Sequence, residues 1–145
     1  MIDIAIVGAG PAGYSAAITA RKRDKSVVVI GQNTGWLSRA HSISNYPGLP
    51  DISGADLLAA MRDQAVALGA QTRPGVVHQI VSMGSSFALS LGADFVEAKR
   101  IILCPGAKQP RLLPGERELL GRGVSDCGTG DGMFYRGKRV AVIAQ

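Results

Sequence analysis

The chain has 145 residues, 46% of them hydrophobic and 19% charged, which is the balance of one ordinary globular core; its 19 glycines sit in or beside apolar runs, excluding collagen-like and disordered chains. No apolar run approaches the roughly 18 residues that span a bilayer, and no basic region precedes a long apolar stretch, so a cytoplasmic protein without a membrane partner is expected. The net charge of +5 owes much to Arg21, Lys22, Arg23 and Lys25, a cluster suited to a helix C-terminus, and the scarcity of interleaved aromatics argues against a nucleic-acid partner.

Ile2, Ile4, Ala5, Ile6 and Val7 form an apolar run ending at Gly8, the pattern of a parallel strand covered on both faces. Gly8-Ala9-Gly10-Pro11-Ala12-Gly13 follows. In a turn of this spacing the first glycine permits the tight reversal, the second lets a pyrophosphate reach the backbone, and the third lets a helix pack close to the strand. The alanine-rich stretch from Tyr14 to Ala20 is expected to be that helix, ended by Arg21 to Lys25 before a second apolar strand from Ser26 to Ile30. This strand–helix–strand context turns a weak glycine pattern into a dinucleotide site. The acid that such sites place after the second strand, for the adenosine ribose, is missing. Ile30-Gly31-Gln32 stands there, leaving Gly31 and Gln32 to bind the ribose through backbone and amide.

Residues 35–54 are polar and turn-rich, with Asn45-Tyr46-Pro47-Gly48 and Leu49-Pro50-Asp51 as punctuation, and a loop this long in a compact domain is usually functional. Ser53 or Gly54 opens a helix whose buried face carries Leu57, Leu58, Met61, Ala65 and Leu68, and Gly69 ends it. Val76 to Val81, Phe87 to Leu91, and Phe95 with Val96 read as strands of a small antiparallel addition. Ile101-Ile102-Leu103-Cys104 reads as a further buried parallel strand, ending at Pro105-Gly106-Ala107 where such sheets line their ligand crevice. The fold class is therefore α/β: a Rossmann-like parallel sheet with a small antiparallel β addition. His41 and His78 have no partners at metal spacing, so no metal is expected. Two cysteines are too few for a secreted disulfide framework, and each of Cys104 and Cys127 is a buried thiol, a redox thiol or a bystander.

Taken together, these segments resemble the low-molecular-weight thioredoxin reductase family of pyridine nucleotide-disulfide oxidoreductases over essentially the whole chain. Ile6 to Gly13 is similar to that family's FAD turn, Asn45-Tyr46-Pro47-Gly48 to its loop beside the flavin, and Leu103-Cys104-Pro105-Gly106-Ala107 to the strand that usually ends Ala-Thr-Gly-Ala. Gly121-Arg122-Gly123-Val124-Ser125, with Cys127-Gly128-Thr129-Gly130-Asp131-Gly132, is similar to the entry of its NADPH domain and its redox motif; Gly137 to Ile143 resembles the first strand of that second dinucleotide fold. The resemblance implies an FAD-binding domain over residues 1–112 and the start of an NADPH-type domain over 113–145. It implies that FAD is held by Gly8, Ala9, Gly10, Pro11, Ala12 and Gly13, then by Gly31, Gln32, Trp36, Leu37 and Asn45, and also by Val77, Pro105, Gly106 and Ala107. It assigns catalysis to Cys127 and Asp131, and it implies a homodimer.

Four departures qualify those expectations. The family pattern is Cys-x-x-Cys-Asp, yet Gly130 stands at the second cysteine, the thiol that reacts with the flavin in that family. A lone Cys127 cannot form the internal disulfide of a two-electron relay, which leaves Asp131 without its role as proton donor and Cys127 as either substrate thiol or inert residue. Ala144-Gln145 stands where the glycine-rich NADPH turn would begin, so NADPH is a cofactor only if the chain continues. Trp36 lies where the family has Gly-Gly-Gln; its indole suits stacking on a flavin and equally a core or interface position. Cys104 stands where the family often has alanine, as a small apolar filler.

The expected function is the FAD-binding part of a flavoprotein oxidoreductase that passes electrons from a nicotinamide nucleotide or other donor directly to a redox partner protein or a small acceptor, such as ferredoxin, a quinone or oxygen. The alternative is a non-catalytic FAD or nucleotide-binding module. An NAD-dependent dehydrogenase leaves the Asn-Tyr-Pro-Gly loop and the Cys127 region without a part.

Overall fold

The computed structural model describes residues 1–32, 35–107, 113–125 and 127–143. The chain divides into two compact units, residues 1–107 and the residues beyond. In the first, β1 (Ile2–Val7), α1 (Pro11–Arg21), β2 (Val27–Ile30), α2 (Gly54–Ala67), β3 (Gln71–Arg73), β4 (Gln79–Ser82), β5 (Phe87–Leu91) and β6 (Asp94–Leu103) follow in order, with a 3-10 turn at Leu37–Arg39. They build one sheet in the order β3-β2-β1-β6-β5-β4, parallel from β3 to β6 and antiparallel from β6 to β4.

The two faces of the parallel part are filled from different sources, because side chains alternate along a strand. Ile6, Val27 and Val29 face the helices and pack with Tyr14, Ala17 and Ala20 of α1 and Leu58 and Ala65 of α2. Ala5, Val28 and Ile30 face the other way and pack with Leu89 of β5 and Val96 and Ala98 of β6. All four residues of β2 are buried, which is why its sequence is continuously apolar. The antiparallel strands thus cover a face that helices cover in a plain doubly wound sheet.

Local chemistry sets the helix ends. Pro11 opens α1 at a position where its missing N–H costs nothing, three residues before the expected start at Tyr14. Ser53 caps α2, its Oγ accepting from the Asp56 N–H at 3.1 Å and donating to the Asp56 carboxylate at 2.6 Å. At the opposite end of the sheet from the glycine turn, Lys99 Nζ lies 2.8 Å from Asp3, and Ser26 Oγ donates to the same carboxylate at 2.7 Å. These bonds hold the Asp3 carboxyl well below the usual carboxylate range.

Several sequence expectations need correction. Val76 to Val81 is not one strand: residues 76–78 are irregular and β4 begins at Gln79. Phe95-Val96 and the run from Ile101 are one strand, β6, whose first half pairs antiparallel with β5 and whose second half pairs parallel with β1. Its C-terminal end is not fully buried, since Leu103 is exposed and Cys104, just past the strand, is half-buried. Strand β3 escaped notice because Gln71-Thr72-Arg73 is exposed and lacks apolar alternation, and it is held by parallel pairing with Val28 to Ile30 alone.

The second unit holds α3 (Glu116–Leu119), α4 (Gly128–Asp131) and a 3-10 turn at Gly132–Tyr135, with an isolated bridge between Leu120 and Val124. The strand expected from Gly137 to Ile143 is not formed over the described residues, and Val140, Val142 and Ile143 are exposed. A strand needs a neighbour for its backbone groups, and no described strand lies in this unit to supply one. Ala144-Gln145 and the boundary expected after residue 112 lie outside the described residues. Among the described residues no helix is long and apolar enough to cross a membrane.

The closing of the second sheet face makes a prediction. Leu89→Ala, at a side chain with no exposed surface, should cost about 3 kcal/mol, whereas Phe95→Ala on the same antiparallel strands, 73% exposed, should stay within about 0.5 kcal/mol. Urea unfolding of both variants measures the contrast, and equal losses would refute this account of the core.

Candidate functional site

Four parallel strands end side by side beneath the glycine turn. The Gly8 N–H donates to the Ile30 carbonyl at 2.7 Å, Cys104 N–H to the Val7 carbonyl at 2.7 Å, and Gly31 N–H to the Arg73 carbonyl at 3.1 Å. The C-terminal ends of β1, β2, β3 and β6 are thereby stitched together, bringing Gly8 to Gly13 beside Gly31 and beside the segment that enters Pro105, Gly106 and Ala107.

The three glycines of the turn do different physical work. A side chain at Gly8 would collide with the Cys104 carbonyl, and its φ of +120° is one that side chains rarely adopt. A side chain at Gly13 would collide with the Gly8 carbonyl oxygen, so α1 reaches the strand only because position 13 has none. Gly10 differs from both: a Cβ there would meet nothing within 4 Å. Two glycines seal the turn against its own fold, and the third opens on space.

That space lies at the start of α1. Gly10 is the N-cap in an extended conformation (φ −101°, ψ −175°), no side chain caps the helix, and its first turn carries no acid. Pro11 has no N–H, and Tyr14 N–H is bonded to the Gly10 carbonyl at 3.0 Å, so Ala12 and Gly13 precede the first intrahelical bond and offer N–H groups to an anion. A dinucleotide pyrophosphate fits this donor set: bare backbone at Gly10, a positive helix end and no competing carboxylate.

Beside the turn is a cavity of about 170 Å³ whose lining includes Ala9, Tyr14, Gly31, Arg62, Thr72 and Arg73. Sequence reasoning reached Ala9 and Gly31 but not Thr72 and Arg73, which lie on the unrecognised β3, nor Arg62 of α2. The one available signal was the short polar stretch between Gly69 and Pro74, where an edge strand fits. Tyr14 is buried beside this cavity, and burial raises its phenol pKa.

The other expected residues are placed as follows. Gln32, Pro105, Gly106 and Ala107 are exposed at the strand ends. Trp36 is 48% exposed, with the Arg39 guanidinium 5.5 Å from its ring centre. Leu37 packs against the helix-side core, where a side chain at Gly54 would collide with its carbonyl. Asn45 is exposed in the loop, and Val77 packs on the opposite sheet face among the residues around Leu89.

Cys127 and Asp131 lie in the second unit. The exposed Cys127 caps α4, its Sγ accepting from Gly130 N–H at 3.3 Å. Ser125 Oγ donates to the Asp131 carboxylate at 2.6 Å and accepts from Cys127 N–H at 3.2 Å. A Cβ at Gly130 would lie 3.0 Å from Cys127 Sγ, close to the about 3 Å that separates such atoms across a disulfide.

A family model described as pyridine nucleotide-disulphide oxidoreductase matches residues 2–143. The chain is 42% identical over 145 residues to a thioredoxin reductase of Treponema pallidum, covering 97% of this chain and 47% of that protein. It is 33% identical over 144 residues to a thioredoxin reductase of Bacillus subtilis, covering 97% of this chain and 46% of that one. Among solved structures, the thioredoxin reductase of Streptococcus pyogenes superimposes with a TM-score of 0.79 at 36% identity, covering 93% of this chain and 45% of that one. A ferredoxin-flavin thioredoxin reductase of Clostridium acetobutylicum gives 0.69 at 40%, over 92% and 47%. The chain spans about half the length of the relatives it matches.

Two outcomes follow from the glycine geometry. Gly13→Ala should destabilise the fold by about 3 kcal/mol, since backbone must move, while Gly10→Ala should cost less than about 1 kcal/mol and weaken dinucleotide binding; thermal unfolding and a binding titration separate the two. Gly130→Cys should form an internal disulfide with Cys127 under mild oxidation. Thiol titration that still finds both thiols free after oxidation would contradict the geometry at α4.

Proposed function

The chain belongs to the pyridine nucleotide-disulphide oxidoreductase family, and from that premise we propose that it is the FAD-binding part of a thioredoxin-reductase-like flavoprotein oxidoreductase. The observation that carries the reading is the open backbone at Gly10 between two glycines closed against the fold. The turn from Gly8 to Gly13 holds the pyrophosphate on the N–H groups of α1, Gly31 and Gln32 meet the adenosine ribose, and Val77 belongs to the adenine side. Trp36, Leu37, Asn45 and the segment from Pro105 to Ala107 belong to the flavin side. FAD supplies the electron-carrying chemistry; these residues bind and orient it.

The second unit supports an electron route without an internal dithiol. Position 130 is glycine, so the Cys-x-x-Gly turn cannot close the internal disulfide of a Cys-x-x-Cys motif. FAD bound in the first unit would pass electrons directly to a redox partner protein or a small acceptor, with a nicotinamide nucleotide or another reductant as the donor. Cys127 and Asp131 stand at the family's substrate-thiol and proton-donor positions, and a direct route from flavin to acceptor uses neither. A homodimer in the cytoplasm is part of the same reading.

The same Gly130 supports the second reading, a non-catalytic FAD-binding module. The two share the flavin and differ in turnover. Purified protein should show the visible flavin bands or acquire them on addition of FAD; a colourless protein that takes up no FAD would sink both readings. Anaerobic NADPH should bleach those bands in an intact oxidoreductase that carries a nicotinamide-binding turn, whereas an unchanged spectrum of such a protein favours the module.

A further inference from the structure

The adenosine end of the site is built from donors where an acceptor is usual. A carboxylate after the second strand accepts from the ribose hydroxyls and repels a phosphate placed there. Here the strand runs into Gly31, where a side chain has no room because a Cβ would lie 2.5 Å from the Ala9 nitrogen, and then into the exposed, neutral Gln32. Among the described residues no carboxylate lines the adjoining cavity, while two arginines do, Arg73 at the end of β3 and Arg62 of α2, together with Thr72.

Both arginines have carboxylate neighbours outside the cavity lining. Arg73 lies 3.6 Å from Asp94, with side chains 44% and 73% exposed, an arrangement that holds a guanidinium weakly. Arg62 bonds one oxygen of Asp63 through Nε at 3.0 Å and a terminal nitrogen at 2.9 Å. A guanidinium carries five N–H donors, so each arginine keeps donor capacity beyond these pairs, and its planar fork suits a phosphate. A cavity of about 170 Å³ beside Ala9 and Gly31 has room for such a group.

We propose that this cavity is a subsite for a second phosphate on the adenosine ribose, so that adenine nucleotides phosphorylated on the ribose compete with FAD for the first dinucleotide turn. The inference rests on the dinucleotide reading of residues 8–13 and adds a ligand class to it. Arg73, next to the bonded ends of β2 and β3, is the principal contact, and Arg62 closes the cavity from the helix side.

Calorimetric titration of the intact chain with adenosine 5′-diphosphate, adenosine 2′,5′-bisphosphate and adenosine 3′,5′-bisphosphate tests it. One bisphosphate should bind at least about tenfold tighter than the diphosphate, as a charge-assisted pair allows, and whichever isomer does so identifies the phosphorylated hydroxyl. Arg73→Gln should erase that preference, weakening the bisphosphate far more than the diphosphate, with an unchanged thermal unfolding profile showing that the variant is folded; Arg62→Gln should reduce the preference. Equal affinity for all three nucleotides overturns the subsite and leaves the dinucleotide turn standing. No binding of any of them overturns both, and a preference that survives both substitutions overturns the assignment to these arginines.

Discussion

The first unit depends on backbone meeting backbone at one point. The Gly8 carbonyl oxygen lies where a side chain of residue 13 would be, and the Cys104 carbonyl lies where a side chain of residue 8 would be. Only hydrogens fit in those gaps. Because they do, α1 starts against the end of β1, and β6 lies close enough on the other side for Cys104 N–H to reach the Val7 carbonyl at 2.7 Å. The helix end is thereby aimed at the space before Gly10, and its unbonded N–H groups become a site for negative charge at no further cost in conformation.

The remaining architecture keeps that point rigid. Helices α1 and α2 pack on one sheet face, and the antiparallel strands supply Leu89 and Val96 to the other, so β1 and β2 are clamped from both sides. Strand β6 links the two halves by pairing with β1 over its second half and β5 over its first. Its parallel half ends at the glycine turn, and its antiparallel half ends in the layer that closes the core.

Around Cys127 the geometry of a Cys-x-x-Cys loop survives although one sulfur does not. A short helical turn, a thiol at its cap and a position 3.0 Å from that thiol remain, with Ser125 and Asp131 bonded alongside. Backbone N–H groups and the side chains of Ser125, Cys127 and Asp131 set that arrangement together. Gly130 leaves that turn with a thiol at its cap and no second thiol three residues on.

Much of this was legible from the residues in order, and the reason is local. The apolar run before Gly8, the glycine spacing, the helix ended by basic residues and the capped helix from Gly54 each depend on neighbours a few positions apart. They announced a dinucleotide turn and an α/β fold, and the resemblance to the thioredoxin reductases extended over the whole chain. What stayed hidden depends on partners distant in sequence. Gln71-Thr72-Arg73 is a strand only because β2 offers its edge, Phe95 and Ile102 share one strand only because β5 and β1 flank it in succession, and Val140 to Ile143 remains irregular because no described strand is there to pair with it. Arg62 and Arg73 lie 11 residues apart on different elements, and only the packing of α2 beside β3 brings their charges to one cavity. The sequence by itself determined which residues turn and which helix starts at the turn, since steric exclusion at a glycine acts between near neighbours. Tertiary structure decided which strands exist and what lines the cavity beside Gly31, because backbone pairing and converging side chains require segments that only the folded chain brings together.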